Sequence, residues 1–284
     1  MDGARELEGK VVIITGAAGG IGQATAHACA GAGARLVLND VGCDADGSGS
    51  DPERVRELGN ELRAAGYDVI TSDSDVAGEG AADDLIAGAV DAYGRIDGVV
   101  CNAGFASDAP LLRLEDAAWE RMLDVQLHAT MRLNRAAARQ MIEQGDGGSL
   151  INTASHAALF GSRRQTALAA ATAGTVGLTR SLSIELKRHA IRVNAVVPMA
   201  RTRLTEQLPM FQNIRADSMA PAQVAPVHVF LLSDLASEVQ GDLVGVAGAR
   251  VYAIAAREST GVFFEDGPPT AAELAAQWQS ITRG

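Results

Sequence analysis

The chain has 284 residues, 47% hydrophobic and 4% aromatic, which is enough apolar material for one large domain with a sizeable core. Its 35 acidic and 24 basic residues leave a net charge of −11, which argues against nucleic acid or an anionic membrane as a partner. There is no apolar run of about 18 residues that would cross a bilayer and no signal-like N-terminal stretch, and the spacing of Cys29, Cys43 and Cys101 predicts no metal site, so the expectation is a cytoplasmic protein with reduced thiols.

In chain order, strand-like apolar runs fall at Val11–Thr15, Arg35–Asn39, Asp68–Thr71, Gly98–Asn102, Ser149–Asn152, Arg192–Val197 and Leu243–Val246, with helical patterns between them. Short, continuously apolar strands alternating with helices predict a doubly wound α/β Rossmann fold. The expected sheet is seven-stranded and parallel, covered on both faces, with a ligand crevice at the carboxyl ends of the strands. The run Thr15–Gly22 (TGAAGGIG) follows the first strand and opens a helix. Gly16, Gly20, Ile21 and Gly22 would let the backbone approach a pyrophosphate, and the helix N-terminus would offer N–H donors to it. Asp40 ends the second strand, where a carboxylate accepts from a ribose 2′-hydroxyl and repels a 2′-phosphate, so NAD is favoured over NADP.

The segment Gly42–Pro52 (GCDADGSGSDP) is polar and reads as an exposed loop. Long helices are predicted over Ala117–Met141 and Thr166–Arg188. The proline-bearing stretch Pro198–Pro226 is irregular and would cover the crevice as a lid. The organisation expected is a domain over residues 1–256 and a C-terminal extension over 257–284. Thr270 and Glu273 have capping-box spacing, which predicts a terminal helix through Trp278.

These motifs, with Asp75-Val76, Cys101-Asn-Ala-Gly104 and Arg192-Val-Asn-Ala-Val-Val-Pro198, occur in the order found in the short-chain dehydrogenase/reductase family, and the chain resembles that family from about Leu7 to Ala247. The resemblance implies cofactor contacts by Asp75, Val76, Asn102, Ala103, Gly104, Pro198 and Thr202. Asn39-Asp40-Val-Gly, the insertion behind it, Ala200–Thr205 and the C-terminal extension are similar to a subgroup that includes (3R)-hydroxyacyl-CoA dehydrogenase domains of multifunctional β-oxidation enzymes.

In that family a Ser is followed by Tyr-x-x-x-Lys. The Tyr exchanges the proton, the Lys lowers its pKa and holds the nicotinamide ribose, and a helix Asn supports a relay water. Here Ser155 is retained, but Leu168, Thr172 and Gln126 stand at the Tyr, Lys and Asn positions. Leucine has no proton to give and threonine no charge. The three tyrosines (Tyr67, Tyr93, Tyr252) and the two lysines (Lys10, Lys187) are expected away from the crevice. His128, His156, Arg163 and Arg164 are nearer candidates, and Met199 is expected to crowd the nicotinamide.

Three readings follow. The first is a non-catalytic NAD-binding subunit paired with an intact homologue, or self-associating through helices 117–141 and 166–188. The second is an active NAD-dependent oxidoreductase with altered acid/base groups, and the third is an NAD-sensing regulator.

Overall fold

The structure is a computed structural model that describes residues 5–208, 211, 215, 217–265 and 267–283. The expectations for the extreme N-terminus, for part of the Pro198–Pro226 stretch and for two positions of the extension therefore lie outside the described residues. Contacts divide the chain into one unit over Met1–Ala253 and another over Ile254–Gly284.

In the first unit, strands β1 (Val11–Thr15), β2 (Arg35–Asn39), β3 (Val69–Ser72), β4 (Gly98–Cys101), β5 (Gly148–Thr153), β6 (Ile191–Met199), β7 (Leu243–Ala247) and β8 (Arg250–Ala253) form one sheet in the order β3-β2-β1-β4-β5-β6-β7-β8. The predicted α/β Rossmann architecture is present, with one correction. An eighth strand pairs antiparallel to β7 and closes the edge, and Tyr252 lies within it. This strand is only four residues long and mostly exposed.

The helices are α1 (Gly20–Gly31), α2 (Glu53–Ala64), α3 (Ala81–Tyr93), α4 (Asp116–Leu123), α5 (Ala129–Gln144), α6 (His156–Phe160), α7 (Thr166–Glu185), α8 (Ala225–Leu232) and α9 (Ala271–Thr282). Successive strand residues point to opposite faces, which divides the core in two. Val12 and Ile14 pack with Ala26 and Cys29 of α1, Leu58 of α2 and Leu231 of α8. Val11 and Ile13 pack with Leu85 of α3 and Leu133, Ala137 and Met141 of α5.

The strand order reverses between β2-β1 and β4, so the chain departs in opposite directions from β1 and β4 and leaves a crevice at their carboxyl ends. The helix predicted over 117–141 is α4 and α5 joined by a π-turn at Asp124–His128. The helix predicted to Arg188 ends at Glu185, with a separate 3₁₀ turn at Lys187–His189.

The second unit holds α9. Its N-terminus is closed by the predicted box: Thr270 Oγ1 accepts from Glu273 N at 3.3 Å, and Glu273 Oε2 accepts from Thr270 N at 2.8 Å. No described helix is both long and apolar enough to span a membrane.

Candidate functional site

The crevice has two lobes. The first is walled by the β1–α1 turn, the ends of β2 and β3, and the start of the β4–α4 connection. Here Thr15 Oγ1 accepts from the Asn102 and Ala103 amides at 3.1 and 3.2 Å, and Asn102 Nδ2 donates to the Thr15 and Gly16 carbonyls at 3.1 and 3.0 Å. These bonds draw the two turns into contact. Gly16 has φ +63°, and a Cβ there would stand 2.8 Å from Ala103 Cα, so backbone conformation and close approach both require glycine. Gly22 does not line the lobe. It lies beneath, where a Cβ would strike the Gly16 carbonyl.

Helix α1 starts after Gly19 with no side-chain cap and no acidic residue in its first turn, so its leading N–H groups face the lobe unused by any side chain. Asp40 is 7% exposed. Its oxygens accept from Ala18 N at 2.8 Å and Gly42 N at 2.7 Å, which fixes the carboxylate against the turn with lone pairs to spare. Asn39 donates to the Ser74 carbonyl at 2.9 Å, while its buried Oδ1 has no partner among the described residues.

Further residues of this lobe escaped the sequence reading, Arg121, Arg203, Gly47 and Cys43 among them. Arg121 pairs with Asp75 at 2.7 Å and ties α4 to the loop after β3. Arg203 lines the lobe from the segment after β6. The segment predicted as an exposed loop is a loop, with Asp44, Asp46, Ser48, Gly49 and Ser50 exposed, and it also docks over the lobe: Ala106 N donates to Ala45 O at 2.9 Å, and Gly47 abuts the Phe105 ring. Cys43 comes in with that segment. Burial, with the charge of Asp40, pushes its thiol up, partly offset by Arg203 and Arg121.

The second lobe lies at the ends of β5 and β6 beside α7. It brings together Gln126, Ser155, Leu168, Thr172 and Pro198, and shares Ile21, Asn102, Ala103, Gly104 and Thr202 with the first. Ser155 is the N-cap of α6, and its Oγ accepts from Ala157 N at 3.1 Å, so the hydroxyl proton remains free to donate. Thr172 is 2% exposed and donates to Leu168 O at 2.6 Å. Leu168 packs beside Phe105, Met122 and Val125. The Gln126 side-chain amide donates to Phe105 O at 3.2 Å, and the Gln126 backbone carbonyl, within the π-turn, accepts from Thr175 Oγ1 at 3.0 Å.

Behind this lobe a polar chain runs through the core. Asn134 donates to Asn152 at 2.7 Å and Asn152 to Thr179 at 3.0 Å, joining α5, β5 and α7. Cys101, which faces it, has its thiol pushed up to about 12 by burial, as an inert core cysteine would.

None of Met199, His128, His156, Arg163 or Arg164 lines either lobe. The expected crowding by Met199 is therefore corrected. His156 stacks on Phe160 with centroids 4.3 Å apart, and His128 pairs with Asp124 at 3.0 Å. Tyr93 is held by Asp68 and Leu36 O, Tyr252 lies under Arg250, and Lys10 pairs with Asp234.

Residues 16–248 match the family described as enoyl-(acyl carrier protein) reductase. The chain is 35% identical over 273 residues to the hydroxyacyl-CoA dehydrogenase ChsB1 of Mycobacterium tuberculosis, covering 92% of this chain and 84% of that one. It is 34% identical over 252 residues to the (2S)-[(R)-hydroxy(phenyl)methyl]succinyl-CoA dehydrogenase subunit BbsD of Thauera aromatica, covering 86% and 97%. A short-chain dehydrogenase from Mycobacterium avium superposes with a TM-score of 0.86 at 33% identity over 99% and 98% of the two chains. Carveol dehydrogenase from the same species, solved in complex with NAD, gives 0.76 at 25% identity over 84% and 96%. The chain is thus a member of the short-chain dehydrogenase/reductase family of oxidoreductases, with hydroxyacyl-CoA dehydrogenases among its relatives.

Proposed function

We propose that this protein is a non-catalytic NAD-binding subunit that assembles with an intact homologue in a dehydrogenase acting on hydroxyacyl-CoA or related alcohols. The observation that carries the reading is the second lobe, whose lining among the described residues contains no phenol, ammonium, imidazole or carboxylate. A hydride moves between carbon centres only if a proton leaves or joins the substrate oxygen, and general acid–base catalysis contributes about 10²–10⁴-fold to such a step. Leu168 and Thr172 offer nothing at that point: one packs in an apolar cluster and the other is spent on its own helix. Ser155 would orient an oxygen but cannot serve as a base at neutral pH.

Support for retained nucleotide binding comes from the first lobe. Gly16 gives a backbone approach that a Cβ would fill, Asp40 offers its carboxylate, and Asn39 Oδ1 is a buried acceptor awaiting a donor. NAD, when bound, supplies the hydride acceptor. Support for a subunit role comes from BbsD, named as one subunit of a dehydrogenase, and from α7, whose small residues suit close helix packing.

The test is turnover by the isolated chain. With NAD and 3-hydroxyacyl-CoA substrates, no NADH should form. An intact homologue should co-purify from the native host. A second reading, an active oxidoreductase with altered acid/base groups, is favoured by the free Ser155 proton; it predicts turnover that Ser155→Ala abolishes.

A further inference from the structure

The two lobes do not fit a dinucleotide equally well. In the first, several groups await a ligand: the uncapped N–H groups of α1, the Asp40 carboxylate, the unpartnered Asn39 Oδ1, and the Arg203 guanidinium, which has no carboxylate partner among the described residues. In the second, the hydroxyls are turned inward. Thr172 donates to Leu168 O, Thr130 to Gln126 O, and Thr205 to Ala200 O; Thr202 is engaged by Leu204 N and Thr205. The Gln165 amide donates to Asp108 at 3.2 Å. The exceptions are Thr153 Oγ1, a neutral hydroxyl without a partner, and Ser155, whose Oγ accepts from Ala157 N and keeps its proton. A cationic nicotinamide ring and its ribose diol would meet apolar wall, hydroxyls whose protons are mostly spent and, among the described lining residues, no charged group.

We infer that the cleft recognises the adenosine diphosphate portion of its ligand and is indifferent to the nicotinamide portion, so that ADP-ribose is as good a ligand as NAD⁺ or NADH. The inference rests on the nucleotide-binding reading above and narrows it. Adenosine recognition is supplied by Asn39 Oδ1, an acceptor for an amino group, and by Asp40, an acceptor for ribose hydroxyls. The pyrophosphate is supplied with the α1 N-terminus. A shared oxidised and reduced affinity follows, because the ring that differs between NAD⁺ and NADH makes no contact that the protein has prepared.

Calorimetry on the full-length protein tests this with NAD⁺, NADH, ADP-ribose and nicotinamide mononucleotide as probes. The first three should bind within about threefold of one another, which is less than 1 kcal/mol, and nicotinamide mononucleotide should not bind at millimolar concentration. Asp40→Asn should weaken the three by the same factor, about tenfold for the loss of one charge-assisted acceptor. Affinity for NAD⁺ or NADH more than about tenfold above that for ADP-ribose overturns the inference and leaves nucleotide binding standing. Binding of nicotinamide mononucleotide, or unequal losses in Asp40→Asn, overturns it likewise. If none of the four binds, nucleotide retention falls, and the inference falls with it.

Discussion

The two lobes of the cleft differ in charge and in where their hydrogen bonds go: Asp40, Asp75, Arg121 and Arg203 line the first, and no charged residue is among the described lining of the second. At the β1–α1 turn, backbone N–H groups and two acceptors of the β2 end are left open or half-used, while the Thr15 and Asn102 bonds hold the turn from behind. Beside α7, threonine hydroxyls return to carbonyls of their own chain. A polar residue in a cleft is therefore not in itself a binding group. What matters is whether the fold has already satisfied it.

Four measurements would break or sharpen that contrast. The largest effect is expected at Gly16: Gly16→Val brings a branched side chain against Ala103 and strains a positive φ, and should abolish nucleotide binding by calorimetry while lowering stability by about 2 kcal/mol or more.

Acid should loosen the first lobe next. His228 of α8 is buried against Thr25 of α1, with Nδ1 and Oγ1 2.8 Å apart, and burial holds its pKa down to about 4. The unfolded chain takes up the proton first, near pH 6.5, so stability should fall as pH drops from there toward 4 and level off below. The full loss is roughly 3 kcal/mol by linkage, read from urea midpoints against a His228→Gln control.

Asn152→Ala should cost about 2 kcal/mol in urea unfolding, because it removes two buried hydrogen bonds behind the second lobe and leaves one Asn134 amide proton without its acceptor, although Asn134 keeps Thr130 O and Thr179 keeps Thr175 O. The smallest effect is expected at Thr172: its hydroxyl bonds only its own helix, so Thr172→Ala should change stability by less than about 1 kcal/mol in the same assay. A loss as large as that of Asn152→Ala would show the two lobes to be less different than their bonding implies.

Much of the first lobe was legible because its determinants are local. Gly16, Gly20 and Asp40 lie at fixed offsets from strands whose apolar runs are plain. The strands β1 and β2 fall at the bounds their sequences indicate. What stayed hidden depends on distant partners. The docking of Ala45 on Ala106 and of Gly47 on Phe105 joins segments that share no pattern, so a polar insertion looked merely exposed. The π-turn at Asp124–His128 leaves the apolar spacing of one long helix nearly intact, and Gln126 gave no sign that its backbone carbonyl accepts from Thr175. Met199 was misplaced because its position was inferred by likeness rather than from the register of β6 on β7, where it pairs with Ala247.

The cluster around Leu168 has one more property. It contains Trp119, half-buried on α4, and the chain's other tryptophan, Trp278, is 58% exposed on α9 in the second unit. Each unit therefore carries its own intrinsic fluorophore. With Trp278→Phe, emission would report on the apolar packing between the two lobes, because Val76 and Val125 of that cluster line the first, Leu168 the second and Phe105 both. A ligand in either lobe should therefore shift that spectrum, so occupancy can be read without a label or a turnover assay.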